Sequence, residues 1–369
     1  MYTIKPDLSP SKVVIFDQVG ATILGKTVLT NIDHVILPAR QEKIYLSIPI
    51  IIFVLKNIFF LTKRTGYFSN WKRRLGFIYF FSCIEYINPV VVLTLIDNSP
   101  LFHELSKHYK KGYFYTIQNG ARDYKAVREH TMRLEIDNFF CFGQFENDLF
   151  SMYNHPVTNY IPVGSLKAGY YKTIKTNKNE EKKFTICCVS SFKKKIHCTP
   201  NTIYKRSKIC THNILSLLSK FINDFQIQNT CIACCSDTNI ERKYLSDYFI
   251  ETNVEMVPNQ GFSTYKCMEQ SEVIIVAMST TGFEALGWGK KVLFCNFFGS
   301  SDFDYPLPSV CTINKAEYSL FSEKLKTLLE MDYEDYLKKY ASYFKYFMNY
   351  DRARPAHMII RNKILKAIG

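Results

Sequence analysis

The sequence lacks the features that would direct it out of the cytoplasm or through a membrane. Residues 1–7 have neither the basic start nor the apolar core of an export signal. The longest apolar run, residues 44–61, is interrupted by Pro49 and by Lys56-Asn57. It therefore falls short of the roughly 20 residues that a membrane-spanning helix needs. A cytoplasmic protein is expected.

The same apolar run leaves two interpretations open. A buried core helix would explain its hydrophobicity. Alternatively, Lys63-Arg64 and the segment Trp71-Lys72-Arg73-Arg74 follow it, so the run could lie on the acidic inner face of the membrane. Aromatic rings would then sit at the interface and cations among the headgroups. The second interpretation predicts a peripheral membrane protein.

Patterns for metals and disulfides are also scarce. The spacing of Cys231 and Cys234 suits a zinc-ligand pair, but no second pair follows at a comparable distance, and the segment is typical of a strand. The histidines occur singly, without an HExxH spacing. Several of the 12 cysteines lie in apolar runs, which indicates buried thiols in a reducing compartment. We expect no metal and no cofactor.

The composition indicates a folded protein with an anionic partner. Of the 369 residues, 47% are hydrophobic and 15% are aromatic, which argues against disorder. Lys and Arg number 47 against 33 Asp and Glu, and the resulting charge of +14 favours nucleotides, acidic glycans or acidic headgroups. Nucleic acid is disfavoured, because no zinc-finger, RNA-recognition or helix-turn-helix pattern is found.

Short apolar runs alternate with helix-length segments along most of the chain. This alternation predicts an α/β fold with two Rossmann-like domains facing across a cleft, followed by C-terminal helices. The charged stretch 172–183 has no apolar period and predicts a linker. The expected organisation is a first domain at residues 1–171, the linker, a second domain at residues 184–316, and helices at residues 317–369. The last helix is expected to cross back onto the first domain.

Polar residues collect where the predicted strands of the first domain end, which is where open parallel sheets bind ligands. The candidates there are Asp97, Asn98, Gln118, Asn119, Gly120, Arg122, Glu146, Ser165 and Lys167. Each has a simpler explanation. Asp97 begins a segment that is also a preferred helix cap, residues 118–120 suit a turn with positive φ, and Glu146 can offset the positive end of a helix. Ser165 and Lys167 can belong to an ordinary loop.

Residues 273–294 predict a buried strand, a hydroxyl-rich turn, a short helix and another strand. Hydroxyls and free backbone N–H groups at the start of that helix would bind phosphate. Glu284 is expected in the first turn of the helix, where its carboxylate can reach a ribose diol. The alternative is a helix N-cap followed by a glycine stop. The donor-binding candidates of the second domain are Ser190, Ser191, Ser279, Thr280, Thr281, Gly282 and Glu284.

Four segments together resemble the bacterial surface-carbohydrate biosynthesis proteins, namely residues 95–99, 117–120, 162–166 and 279–292. The resemblance spans roughly residues 12–300 and depends on the order and spacing of these segments. That family is similar to glycosyltransferases of the two-Rossmann (GT-B) type and to those that move Kdo-like acidic sugars from CMP donors. The resemblance implies a cytoplasmic enzyme at the inner membrane face that builds capsule or lipopolysaccharide glycans.

The leading hypothesis is metal-independent glycosyl transfer from a nucleotide sugar. The second domain would hold the donor and the first domain the acceptor, while backbone N–H groups and the cationic cleft stabilise the leaving phosphate. Asp97 is the first candidate for a general base and Glu146 the second; an inverting or retaining outcome is left open. The alternatives are a sugar-nucleotide 2-epimerase of the same fold and a non-catalytic glycan-binding or scaffold protein.

Overall fold

The computed structural model describes residues 3–5, 8–40, 43–130, 134–174, 182–197, 205–236, 238–250 and 252–369. The chain divides into two compact α/β units. The first comprises Met1–Asn119, Ala126–Tyr170 and Asp351–Gly369, and the second comprises Gly120–Lys125 and Tyr171–Tyr350. The domain boundaries expected at residues 171, 184 and 317 stay predictions. Of the predicted linker, residues 172–174 end a helix, and residues 175–181 lie outside the described residues.

The first unit is built on a parallel sheet. Its strands are β1 (Thr3–Lys5), β2 (Val13–Phe16), β3 (Val35–Leu37), β4 (Lys43–Tyr45), β5 (Val91–Thr94), β6 (Tyr113–Ile117), β7 (Ile136–Cys141) and β8 (Val157–Pro162). Among the described residues, six of them form the sheet in the order β3-β2-β5-β6-β7-β8, and β1 pairs with β4. All residues of β2 and β5 are buried, as expected for parallel strands covered on both faces. The strand order reverses between β2 and β5.

The second unit has a sheet of the same kind. Its strands are β9 (Phe184–Val189), β10 (Thr230–Ala233), β11 (Val254–Val257), β12 (Ser271–Ala277), β13 (Lys291–Cys295) and β14 (Thr312–Ile313). Within the described ranges they pair in the order β11-β10-β9-β12-β13-β14, which is the order of a dinucleotide-binding Rossmann sheet. The strand order therefore reverses between β9 and β12. The last strand has only two residues, because Ser309–Cys311 immediately before it is a 3₁₀ turn.

Helices cover the sheets and connect their strands. Up to residue 174 they are α1 (Ala21–Thr27), α2 (Ile48–Lys56), α3 (Trp71–Ile87), α4 (Pro100–His108), α5 (Tyr124–Arg128), α6 (Gln144–Met152) and α7 (Leu166–Ile174). Beyond it they are α8 (Lys194–His197), α9 (Lys205–Phe225), α10 (Asn239–Ser246), α11 (Ser263–Glu269), α12 (Thr280–Gly287), α13 (Tyr318–Glu330), α14 (Tyr333–Phe347) and α15 (Ala356–Ile368).

The last helix, α15, belongs to the core of the first unit. Ala356, Ile360 and Ile364 recur every four residues, so they share one helical face. All three are buried in the same cluster as Val13 of β2 and Val91 of β5. The two ends of the chain therefore contribute to one hydrophobic core.

The apolar run at residues 44–61 does not form a buried core helix, so that interpretation is wrong. The run contains part of β4, then α2, and then most of a 3₁₀ turn at Ile58–Thr62. Of the residues of α2, Ile50 alone is buried. None of the helices in the described part of the chain is long and apolar enough to cross a membrane.

Candidate functional site

A cavity of about 260 Å³ lies where the strand order of the second sheet reverses. Its walls come from the ends of β9 and β12, from α9, and from the loop after β10. The polar residues that line it are Ser190, Ser191, Ser207, Thr211, Ser279, Thr281, Lys193 and Cys235. Six of these carry hydroxyls and one is an exposed cation, so the lining suits an anionic ligand.

The strongest indication of a ligand site in this cavity is the side chain of Ser279 at the N-terminus of α12. Ser279 is the N-cap residue of α12, but its side chain makes no capping hydrogen bond. Its Oγ is buried and has no hydrogen-bond partner among the described residues. Buried polar atoms in native proteins nearly always have a partner. The backbone N–H groups and the positive dipole end of α12 lie beside this hydroxyl, an arrangement that suits an anionic ligand.

The other residues of the motif divide between ligand and scaffold positions. Thr281 lines the cavity, whereas Thr280 Oγ1 accepts a hydrogen bond of 2.9 Å from the N–H of Ala121. Gly282 faces the sheet: a Cβ there would lie 2.5 Å from the ring of Phe294 and 2.6 Å from Val276 Cγ2. This glycine lets α12 pack closely on β12 and β13.

Glu284 is not in the first turn of α12, so that prediction is wrong. The helix begins at Thr280, which places Glu284 one turn further in. Its carboxylate is buried, and the hydroxyl of Tyr265 donates to Oε2 at 3.0 Å. Burial and the charge of Glu284 raise the pKa of Tyr265 well above its usual value. Glu284 is not among the residues that line the cavity, and its role on a ribose stays a prediction.

Glu241 is a site residue that the sequence analysis missed. Its fully buried carboxylate accepts a 2.6 Å hydrogen bond from the hydroxyl of Ser190. It also accepts from the N–H of Cys235 at 2.8 Å and from the N–H of Ser236 at 2.7 Å. One side chain thus ties the end of β9 to the loop after β10. The signal was present, because Thr238 and Glu241 have the spacing of a capping box, and Thr238 Oγ1 accepts from the Glu241 N–H.

A second pocket, of about 510 Å³, follows β11 in the same unit. Tyr171, Phe262 and Lys266 are among the residues that line it. The ring of Tyr171 stacks on that of Tyr265, with 5.4 Å between centroids, and is tilted against Phe262 at 5.5 Å. Aromatic side chains beside a cation suit a flat, polar ring.

In the first unit, the candidates follow four adjacent strands, β5, β6, β7 and β8, whose carboxyl ends share one edge of the sheet. Asp97 is fully buried after β5, and Asn98 beside it is exposed. The carbonyl oxygen of Asp97 lies 2.8 Å from Nε2 of His103. Ser99 caps α4, because its Oγ accepts a hydrogen bond from the N–H of Phe102. The cap in this segment is therefore Ser99, and helix capping does not explain Asp97.

Gln118 and Glu146 form a buried hydrogen-bonded pair. Nε2 of Gln118 donates to Oε1 of Glu146 at 3.0 Å, and Oε1 of Gln118 accepts from the N–H of Phe142 at 2.8 Å. Oε2 of Glu146 accepts from the N–H of Gly143 at 2.9 Å, at the start of α6. This geometry favours the helix-stabilising explanation of Glu146; its catalytic role stays a prediction.

The segment after Gln118 does not form the turn that was considered for it. Asn119 and Gly120 are both described, and neither has a positive φ. Gly120 and Arg122 belong to the second unit, where the carbonyl of Arg122 accepts a 2.8 Å hydrogen bond from the hydroxyl of Tyr305. The segment is therefore held against the second unit by its backbone.

After β8, the serine and the lysine have different surroundings. Ser165 is buried, and its Oγ accepts from the N–H of Ala168 at 3.2 Å, in the first turn of α7. Lys167 is exposed on the same helix. Ser165 is therefore placed as a helix cap, and Lys167 is the member of the pair that solvent or a ligand can reach.

Asp17 is a second residue that the sequence analysis did not select. It follows β2, at the reversal of strand order in the first sheet, and it is buried with a φ of 90°. Its Oδ1 accepts from the N–H of Val19 at 2.9 Å, and Oδ2 lies 3.4 Å from Nε of Arg40. A non-glycine residue with this φ is strained, and such residues cluster at functional sites. The φ angle could not be read from the sequence.

The sequence of the chain matches a known protein family. A family model described as "putative O-antigen biosynthesis protein" matches residues 115–361, which is two thirds of the chain. The chain belongs to this O-antigen family. The predicted resemblance to surface-carbohydrate biosynthesis proteins is thereby confirmed. No curated protein sequence matches this O-antigen family member.

Solved structures share its fold at low sequence identity. A UDP-GlcNAc 2-epimerase from Neisseria meningitidis bound to UDP-GlcNAc is 11% identical, with a TM-score of 0.52 and coverage of 100% of this chain and 99% of that chain. A glycosyltransferase from Rickettsia africae is 10% identical, with a TM-score of 0.51 and 98% of each chain covered. The wall teichoic acid polymerase TagF is 11% identical, with a TM-score of 0.50 and coverage of 98% and 90%. The predicted α/β fold with two Rossmann-like domains of the GT-B type is confirmed.

Proposed function

We propose that this O-antigen family member is a metal-independent glycosyltransferase that moves a sugar from a nucleotide-sugar donor to a growing surface glycan. The observation that carries the proposal is the Oγ of Ser279, buried and without a partner among the described residues, at the N-terminus of α12. Lys193 supplies a cation to the same cavity. The donor binds in the second unit and the acceptor in the first.

The donor phosphates occupy the cavity between β9 and β12. Hydroxyls, helix N–H groups and Lys193 stabilise the negative charge that develops on the leaving phosphate, which takes the place of a metal ion. The pocket after β11 receives the base on Phe262. Because β11 and β9 are two strand spacings apart, about 10 Å, one nucleotide can reach both sites. Glu284 is our candidate for binding the ribose hydroxyls. To do so, its carboxylate would give up the hydrogen bond that it accepts from Tyr265.

The reaction needs a base for the acceptor hydroxyl. In the inverting form, the acceptor oxygen bonds to the anomeric carbon, the bond from that carbon to the phosphate oxygen breaks, and the hydroxyl proton moves to Asp97. Glu146 ranks below Asp97 as the base, because its two carboxylate oxygens already accept hydrogen bonds from Gln118 and Gly143. Support for Asp97 comes from its place after β5, beside the reversal of strand order.

The test is thermal stabilisation by CMP, CDP, UDP, GDP and ADP. A ligand that binds the native state raises the melting temperature, and saturation at about 100 times Kd adds roughly 2.7 kcal/mol. Ser279→Ala removes no hydrogen bond recorded within the described residues, so its own stability should match wild type while the nucleotide shift falls. Loss of a hydrogen bond to a charged group weakens binding by roughly 10- to 100-fold.

Matched controls are Ser342→Ala and Lys338→Gln, both on the exposed side of α14. Lys193→Gln should reduce the nucleotide shift as Ser279→Ala does, whereas the α14 variants should keep it. Absence of any nucleotide shift, or an unchanged shift in Ser279→Ala, would overturn the donor site and favour a non-catalytic glycan-binding or scaffold protein. The nucleotide that stabilises best identifies the donor class, and selectivity for CMP would support a Kdo-like sugar.

The epimerase is the second candidate, because the Neisseria enzyme shares the fold over the full chain. The two activities are distinguished by incubating the protein with the matching nucleotide sugar in the absence of an acceptor. A sugar inverted at one carbon under those conditions assigns the epimerase. Transfer that requires an added glycan acceptor assigns the transferase.

A further inference from the structure

The helix α2 presents an apolar stripe to solvent. Ile48, Ile51, Ile52 and Leu55 have the spacing i, i+3, i+4 and i+7, which places them on one helical face. Their exposed fractions are 76%, 47%, 59% and 60%. A stripe with this spacing normally faces a protein core, whereas here the buried contact of the helix is made by Ile50.

Neighbouring elements extend the stripe into a larger surface. The 3₁₀ turn Ile58–Thr62 and the helix α3 both pack against α2. Ile58 and Phe59 of the turn, and Trp71 and Leu75 of α3, are also exposed. We call these residues and the α2 stripe the apolar patch. Exposed apolar side chains collected on elements that pack together are typical of an interaction site.

The patch rests on a firmly packed base. Phe60 contacts Phe77 and Phe81 edge to face, with ring centroids 4.8 and 5.6 Å apart, and Phe77 stacks on Phe81. Asn57, between α2 and the turn, donates to Oε2 of Glu85 at 2.7 Å. The inner side of these elements is therefore packed and hydrogen-bonded within the first unit, whereas their outer apolar side chains are exposed.

Positive charge predominates around the patch. Residues 43–84 contain seven Lys and Arg and no Asp or Glu. Lys63, Arg64, Lys72 and Arg73 are exposed next to the patch, and Nζ of Lys72 lies 5.8 Å from the ring centre of Trp71. A tryptophan and cations beside aliphatic side chains match a bilayer interface, where anionic headgroups lie above the acyl chains.

This charge also selects among the possible occupants. A second copy of the chain related by a two-fold axis would bring the same patch, and so the same cations, against itself. Like charges opposed in this way repel. The carboxylate of α3, Glu85, lies beside Lys56 and accepts from Asn57, so it is not placed to offset the cations at the two-fold contact. A surface of anionic lipid supplies both the negative charge and the apolar interior that the patch lacks.

We propose that the first unit docks through the apolar patch onto a bilayer that contains anionic lipids. The stripe of α2 enters the boundary between headgroups and acyl chains, and Lys63, Arg64, Lys72 and Arg73 bind lipid phosphates. With nine residues, α2 lies in the plane of the interface, since it is too short to span the bilayer. The proposal does not depend on the donor site.

The experiment is flotation of the full chain with vesicles of phosphatidylcholine, with and without phosphatidylglycerol. Wild type should float with the anionic vesicles, and less so at high salt, because salt screens the headgroup attraction. Replacing the stripe, as Ile48→Ser, Ile52→Ser and Leu55→Ser together, should lower the bound fraction roughly tenfold or more. Lys72→Gln with Arg73→Gln should lower it for anionic vesicles.

Controls match these changes elsewhere on the surface. Met152→Ser and Ile250→Ser replace apolar residues that are 67% and 84% exposed, and Lys338→Gln with Lys339→Gln replaces a cation pair on α14. All should float like wild type, and melting curves should show every variant folded.

Three results would overturn the proposal. Wild type could fail to bind either vesicle, or the stripe variant could bind as wild type does. In the third case, sedimentation without lipid would show a dimer that the stripe variant loses, which would assign the patch to a second copy of the chain.

Discussion

The hydroxyl of Ser190, at the carboxyl end of β9, lies 2.6 Å from Oε1 of Glu241, and both residues are buried. Ser190 lines the cavity, whereas Glu241 stands behind it on α10. Through the same carboxylate, the N–H groups of Cys235 and Ser236 are fixed as well. The shape of the proposed phosphate site therefore depends on a residue that does not line it.

Glu241→Gln should destabilise the second unit. The amide turns one acceptor oxygen into a donor that faces hydroxyl and N–H donors, and an unsatisfied group of this kind lowers the free energy of unfolding by about 2–3 kcal/mol. Urea unfolding measures the loss, and the nucleotide-induced melting shift should shrink with it. The exposed Glu334→Gln on α14 is the control. Equal losses in the two variants would show that Glu241 does not organise the site.

Gly282→Ala should also destabilise the protein. The added methyl would meet Phe294 and Val276 at 2.5 and 2.6 Å, and such overpacking lowers the free energy of unfolding by about 1–3 kcal/mol. Gly25→Ala in α1 is the matched control, because its Cβ would approach no closer than 3.5 Å to His34. There the change should stabilise by roughly 0.5–1 kcal/mol, since alanine favours a helix. Thermal melting distinguishes the two signs.

Asp97→Asn should slow glycosyl transfer by roughly 10²- to 10⁴-fold, the usual contribution of a general base. Its nucleotide-induced melting shift should be unchanged, because the proposed donor site lies in the other unit. Glu146→Gln should instead lower stability, since its carboxylate accepts from Gly143 and Gln118. Rate assays and unfolding of both variants are required. If Glu146→Gln alone slowed the reaction and kept the stability of wild type, Glu146 would be the general base and Asp97 would not.

Stability should fall as the pH drops below neutrality. Burial lowers the pKa of His103, and it does the same for the less buried His197 and His357. Such a histidine stays neutral in the native state, while in the unfolded state it gains a proton near its usual pKa of about 6.5. Its contribution is therefore present above that pH and is lost as the pH falls toward the lower folded pKa.

The variant His103→Gln should weaken this pH dependence without abolishing it, because His197 and His357 remain. Urea unfolding of wild type and variant between neutral and mildly acidic pH gives the comparison. An equal slope in both proteins would contradict the assignment to His103.

The two sheets could be predicted because buried parallel strands leave continuous apolar runs, as in β2 and β5. The hydroxyls of Ser279 and Thr281 could be found because they follow such a run. The capping-box spacing indicates a local role for Glu241, but its contact with Ser190 and the contact of Glu284 with Tyr265 could not be predicted, since these partners are 51 and 19 residues apart in the chain. Helical period identifies the apolar face of α2 but does not say whether that face meets a core or a solvent boundary.

The position of α15 bears on how the chain folds during synthesis. Ile360 and Ile364 enter the same core as Val13, so the first unit is incomplete until α15 has left the ribosome. By then, residues 171–350 have already been made and can assemble as a unit. Domains usually fold in the order in which they are synthesised. Here the second unit can finish first, and the first unit, whose core needs α15, closes after it.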